Sequence, residues 1–449
     1  MLALVAAVVL FARPADAHVG SPDIYYDGTA GPYALAITVR MPQVIPGVAE
    51  IDVRAASGDV TAVEVVSLRL TGPGSELPPT PDAADRNADD PQLFTASLWL
   101  MERGSLQVRI GVDGANGKGV LSLPIPAVAQ RTLGMDRGLG ALLLGLMLLL
   151  ALAIVAIVGA AVREAALPVG EQPTRRARRV AAVAIAVASV GVAGLLGFGN
   201  WWWSQDAEQY EQQVARPWHP KMSVDGCQLW IPGPNVDLLQ DHGHLMHLFV
   251  VRDTLDRAAH LHPTGGVDSD FHQELPALPA GHYDLFADVV EASGFPFTGV
   301  GELDLPDLSR CGAPTGDDAL WLGEPTPDAR FDPLDGIRAG QPISLRIHAV
   351  DGNGTPATDV RPYMGMAGHA MVVRDDLAVF AHLHPYGSVA MPALMLAGAP
   401  HEMMPADRVV APDVSFPYGF PTAGSYHVFV QVRRGDRIET VVAPVVVAP

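Results

Sequence analysis

Two stretches of this chain repeat one arrangement of imidazoles. HGHLMHLFVVRDTLDRAAHLHP, from His242 to Pro263, holds five histidines in twenty-two residues. GHAMVVRDDLAVFAHLHP, from Gly368 to Pro385, follows the same pattern further on. His247, His260 and His262 are spaced H-x12-H-x-H, and His369, His382 and His384 have identical spacing. Alternate residues of a strand share a face, so His260 and His262 project together, as do His382 and His384. Pro263 and Pro385 end those strands because proline cannot donate to a ladder. A turn centred on Thr254 and Leu255 sets His247 opposite His262, and one centred on Asp376 and Leu377 sets His369 opposite His384. Residues opposite one another in an antiparallel pair face the same way. An even-length loop therefore gathers three imidazoles on one face, whereas an odd one turns the first away. Three converging imidazoles suit copper first and zinc second. Magnesium or calcium would call for clustered carboxylates.

Methionine adds thioethers, which prefer Cu(I). Seven of the fourteen methionines lie between Met364 and Met404. Met364 and Met366 precede His369, while Met403 and Met404 follow His401 in a loop broken by proline and glycine. Met371, between valines and alanines, reads as core. His242 and His244 form one more H-x-H pair and read as a solvated loop, with an extension of the site as the alternative. His272, His282, His348 and His427 read as structural. His18 follows Ala15-Asp16-Ala17, a small-residue cleavage pattern after an apolar stretch. Cleavage there would give a terminal amine and an imidazole able to chelate copper together, and an uncleaved anchor is the alternative.

Other chemistries fit poorly. There is no G-x-S-x-G elbow, no H-E-x-x-H and no P-loop. A blue-copper site needs a cysteine thiolate beside its histidines. The two cysteines, Cys227 and Cys311, lie far from the histidine pattern and read as a disulfide of an oxidising compartment.

The elements that must position these groups are mostly short strands. Residues 18–135 alternate with period two and are punctuated by Gly and Pro, as in YALAITVRM and SLQVRIGVDG. Residues 204–219 are a polar connector. Residues 220–311 and 312–449 form two repeats, each with a histidine hairpin followed by a Gly-x-Tyr strand, GHYDLFADVV and GSYHVFVQVR. The expected class is all-β: one N-terminal and two tandem C-terminal immunoglobulin-like sandwiches. Between the first and the later two lie uncharged stretches at 138–162 and 180–203, each long enough to cross a bilayer. The second ends in Trp201, Trp202 and Trp203, suited to the headgroup layer. The intervening loop, 163–179, carries Arg163, Arg175, Arg176, Arg178 and Arg179 and is expected in the cytoplasm. With residues 1–17 as a signal peptide, both sets of sandwiches fall outside the cell membrane.

The formal charge is −20, with no basic cluster outside the membrane segment. This speaks against nucleic acid as a partner and favours cations.

GPYALAITVRMPQVIPGVAEIDVRA and SLQVRIGVDGANGKGVLSLPI resemble the small membrane-associated sandwich domains of the YtkA and FixH type. HAMVVRDDLAVFAHLHP resembles a module of uncharacterised bacterial envelope proteins. The resemblance implies an extracytoplasmic immunoglobulin-like domain and, in the FixH-like case, a link to copper and oxidase assembly. The expected function is a membrane-anchored protein that holds or passes on copper rather than catalysing. Its partner would be another envelope copper protein or an oxidase-assembly factor. Two rivals stand beside it: a metal-free structural or interaction protein of the envelope, and a copper redox enzyme built on His18.

Overall fold

The computed structural model describes residues 18–19 and 23–449, apart from 58, 166, 169, 213, 215–216, 267–268, 326–327 and 400–402. The expected leader at 1–17 and His401 lie outside the described residues, and of His18 only the backbone is described. The chain forms two compact units, residues 129–215 and the remainder.

Residues 129–215 hold two helices, Arg137–Glu164 and Arg175–Gln212. Asp136 caps the first by accepting the Leu139 N–H at 2.9 Å, which satisfies one of the donors a helix start leaves open. Gly159 is buried where the helices meet, and a Cβ there would come within 2.7 Å of Ile185. Glycine is what lets the backbones approach. Both helices are long and apolar enough to cross a membrane. Their leucines, valines and tryptophans are largely exposed within the protein.

The other unit is built of antiparallel sheets packed face to face. Its N-terminal part joins a five-stranded to a four-stranded sheet. Strands such as Tyr33–Arg40 turn alternate residues into one apolar core. The first repeat has a six-stranded sheet centred on His247–Arg252, flanked by Ala258–Leu261 and Gly281–Glu291. The second has a six-stranded sheet centred on His369–Arg374, flanked by Val379–Leu383 and Gly424–Arg434. A smaller sheet backs each. The two repeats interleave with other parts of the chain. Ala319–Trp321, which sequence groups with the second repeat, pairs with Ala258–His260 of the first. His18–Val19 runs parallel to Val379–Phe380 at the edge of the second repeat's sheet.

Cys227 and Cys311 are joined in a disulfide that spans 84 residues of the first repeat, worth about 4–5 kcal/mol on the chain-entropy account. In each repeat the tyrosine of the Gly-x-Tyr strand ties back to a carbonyl four residues upstream. Tyr283 donates to Pro279 O at 2.9 Å and Tyr426 to Thr422 O at 2.8 Å.

Strand alternation decides what the hairpins present. Leu248, Val250, Ala259 and Leu261 turn into the first repeat's own core, and Ala370, Val372, Ala381 and Leu383 into the second's. The intervening residues face the other repeat. There Phe249, Val251, Phe286, Met371, Val373, Phe380 and Phe429 form a separate apolar cluster. The Phe286 and Phe380 rings stack across it at 4.3 Å and 5°. This slab clamps the two hairpins together, and the histidines continue the same faces beyond it. Replacing Phe380 with Ala should therefore lower stability by about 3–5 kcal/mol, read by urea unfolding. A loss below about 1 kcal/mol would show that the slab does not hold the repeats.

Candidate metal centre

Both hairpins have the even register that puts their histidines on one face. Leu248 pairs with Leu261 and Phe249 with His260; Ala370 pairs with Leu383 and Met371 with His382. One step further along, His247 stands across from His262 and His369 from His384. His247, His260, His262, His369, His382 and His384 are all buried.

The grouping differs from one trio per hairpin. Because both histidine faces look into the interface between repeats, the rings sort across it. His247, His260 and His382 form one trio, and His242, His369 and His384 the other, with candidate ligand nitrogens within 4.8 Å of one another in each. Imidazole nitrogens bonded to one ion at about 2.0–2.1 Å stand roughly 3.4 Å apart, and the closest pair, His247 Nδ1 and His260 Nε2, is already at 3.1 Å. Intra-hairpin contacts persist as well: the His247 and His262 rings lie 5.0 Å apart and those of His369 and His384 5.2 Å apart.

The partners of the outer nitrogens fix the tautomers. His242 donates Nδ1–H to Met364 O at 3.1 Å, and His384 donates Nδ1–H to Val389 O at 3.2 Å. His247 donates Nε2–H to Asp241 O at 3.1 Å. His260 reaches Gln431 Oε1 at 2.8 Å and His382 reaches Asp288 Oδ2 at 3.1 Å, each through Nδ1. The last two contacts cross between repeats, and Gln431 and Asp288 are themselves the residues opposite His369 and His247 in their sheets. Metal-ligating histidines carry this kind of second tie to a carbonyl or carboxylate. It leaves His247 Nδ1 and His260 Nε2 as lone pairs facing each other at 3.1 Å. Two facing lone pairs repel, and a cation between them removes the conflict. His369 Nε2 is buried with no hydrogen-bond partner among the described residues.

Burial, and then the mutual repulsion of the rings, holds His247, His260, His262 and His369 well below the usual histidine range. They are neutral, the form that binds metal. Asp241 lies beneath the second trio, its Oδ1 3.3 Å from His242 Nε2. Burial, and then the charge of Asp288, pushes its carboxyl up to about 8.

Two neighbours extend the cluster. The His244 ring lies 4.1 Å from that of His262. His244 also contacts Asp317 at 3.3 Å, and His262 contacts Asp318 at 3.0 Å. His244 and Asp317 are partly exposed and form the rim.

His242 groups with the candidate ligands and His244 lies at the rim, which is the extension of the site that sequence leaves open beside a solvated loop. The missed signal is a turn. His242 and Gly243 both adopt positive φ, 53° and 90°, as do Met364 and Gly365, 49° and 76°. The bridges Asp241–His244 and Tyr363–Met366 close both turns. DHGH and YMGM are thus the same tight turn in the two repeats, with methionines where the first has histidines. Met364 and Met366 are buried in it. Met403 is exposed and packs over Gly365, and Met404 N donates to Gly365 O at 3.0 Å. Met391 is buried in a short helix, Met391–Leu396. His348 is held by Asp332 and Asp413, and His427 by Asp375.

Residues 328–448, the second repeat, match a family described as a domain of unknown function, DUF8832. No curated protein matches the chain. Among solved structures, the chain is similar to an engineered protein at 14% identity, with 21% of this chain and 20% of that one covered and a TM-score of 0.17. It thus spans about a fifth of that protein's length. It is similar to a tetra-tandem repeat from the extending region of a large adhesion protein at 10% identity, with 94% and 82% covered and a TM-score of 0.17. A putative membrane anchored protein from Corynebacterium diphtheriae matches at 10% identity, with 95% and 96% covered and a TM-score of 0.15.

Neutral burial has a pH consequence for the metal-free protein. Above pH ~6.5, an imidazole is neutral in both folded and unfolded chains. As pH falls below that, the unfolded chain takes up protons that the folded one excludes. Stability then falls by up to about 1.4 kcal/mol per pH unit for each such histidine. Asp241, held up to about 8, and Asp284, at about 6, act in the opposite sense, as do the raised His282 and His348, so the net slope is smaller than the four buried histidines alone would give. Urea unfolding should show stability dropping between pH 6.5 and 5. His262→Asn should make the slope shallower by about 1.4 kcal/mol per pH unit, and equal slopes would contradict the neutral burial of His262.

Proposed function

We propose that this chain is a membrane-anchored, extracytoplasmic protein that binds copper and holds it or hands it on. The observation that carries the reading is the orientation of six buried imidazoles. Five spend their outer N–H on an oxygen, and all six present inner nitrogens grouped in two trios. Histidines that served only to satisfy a core would not be arranged with lone pairs facing one another.

Copper is favoured over zinc by the ligand chemistry. Imidazole-only sites follow the Irving–Williams order, in which copper binds most tightly. The only thiols are tied up in the disulfide, and two buried methionines line the adjoining turn. The acidic composition attracts cations. Two apolar helices joined by an arginine-rich loop support the membrane anchor with the sandwiches outside, and the disulfide agrees with an oxidising compartment. The paired tyrosine ties support an immunoglobulin-type sandwich for the repeats. In the same reading the N-terminal sandwich is of the YtkA and FixH type, and the partner is another envelope copper protein or an oxidase-assembly factor.

Metal content of the purified full chain after equilibration with equal copper and zinc tests this. Copper should be retained over zinc, and the double variant His247→Ala, His382→Ala should lose at least half of it. Copper at the level of a six-histidine-to-alanine control would overturn the reading.

A further inference from the structure

The two trios do not stand apart, and one residue belongs to both surroundings. His369 is the counterpart of His247, yet the two are tied differently. His247 anchors its Nε2 on Asp241 O. His369 has no such anchor: its Nε2 has no hydrogen-bond partner among the described residues and joins His242 and His384. Its other nitrogen, Nδ1, lies 3.3 Å from His382 Nε2. Since His382 gives its Nδ1–H to Asp288, that Nε2 is the atom His382 offers to the other trio. One imidazole therefore points a nitrogen at each group.

Adding His369 to His247, His260 and His382 completes a tetrahedron. The six ring-to-ring distances are 5.3, 5.1, 6.3, 5.8, 6.1 and 5.5 Å. Four imidazoles bound tetrahedrally with bonds of about 2.0–2.1 Å have ring centres about 5.2 Å apart. Each repeat supplies two corners. The remaining group, His242, His384 and His369 Nε2, has only three histidines, with the Asp241 carboxyl at its edge.

We propose that His369 bridges two metal ions, one in a closed four-histidine site through Nδ1 and one in an open three-histidine site through Nε2. The proposal rests on the metal-binding reading above and adds the number of ions, their linkage and the division of labour. The closed site fixes the docking of the two repeats, because its ligands come equally from both. The open site keeps a coordination position for exchange, the usual difference between structural and reactive metal sites. Binding the second ion displaces the Nδ1 proton of His369, which leaves to solvent, so the bridge is an imidazolate.

The test is a Cu(II) titration of the purified full chain, with any Cu(I) oxidised by ferricyanide that is desalted away before measurement. Bound ions are counted by mass spectrometry and unpaired spins by integrated electron paramagnetic resonance. The wild type should bind two ions per chain, with spins well below the ion count because the bridge couples them. His384→Gln should bind one ion carrying one full spin. In His369→Gln, spins should equal ions. The wild-type spin count decides even if the variants fail to fold. Two ions with two full spins, or a single ion unaffected by His384→Gln, would overturn the bridge and leave the metal-binding reading standing. Copper no higher than in the six-histidine-to-alanine control would overturn both.

Discussion

The centre depends on one constraint, the period-two alternation of two hairpins packed face to face. Within each strand, every second side chain belongs to the repeat's own core and the others belong to the interface. His247 must follow Phe249 to the interface, and His382 must follow Phe380, because neither strand can turn one side chain without turning all of them. The phenylalanine slab keeps the sheets together, and the imidazoles are brought together at its edge. Their geometry is a by-product of apolar packing, which is why so many basic rings can be buried side by side.

Burial then selects the chemical form. Rings shut away from water are kept neutral by desolvation, and each must find a partner for the N–H it retains. Backbone carbonyls in the tight turn and the loop after His384, and the crossing pair Gln431 and Asp288, supply these partners on the outside of the cluster. The N-terminal sandwich supports the same loop: Asp27 N donates to Tyr386 O at 2.8 Å and Ser388 N to Tyr25 O at 3.0 Å. Tyr386 in turn stacks on His384 at 5.2 Å. His244 and Asp317, both partly exposed, form the rim of the cluster.

Spacing alone made the hairpins legible. Identical H-x12-H-x-H patterns closed by proline gave the strands, the turn centres and the shared face, and the register agrees residue for residue. What spacing cannot carry is which sheet faces which. The assembly of His382 with His247 and His260 depends on packing between repeats, so local pattern pointed to trios within a hairpin. His242 was hidden for a different reason. Its left-handed backbone places it beside His369 and His384, whereas a Gly-containing polar run reads as loop. The repeat of that turn at Met364 was the available signal. The two apolar helices followed directly from composition, because nothing but a long uncharged run was needed to see them.

The central claim is that buried, outwardly anchored imidazoles from both repeats surround a common ion. X-ray absorption at the copper edge of the copper-loaded full chain tests it most directly. The expected first shell is nitrogen at about 2.0 Å, with outer-shell scattering of at least three imidazoles per ion. A shell dominated by sulfur, or by oxygen without imidazole scattering, would contradict it.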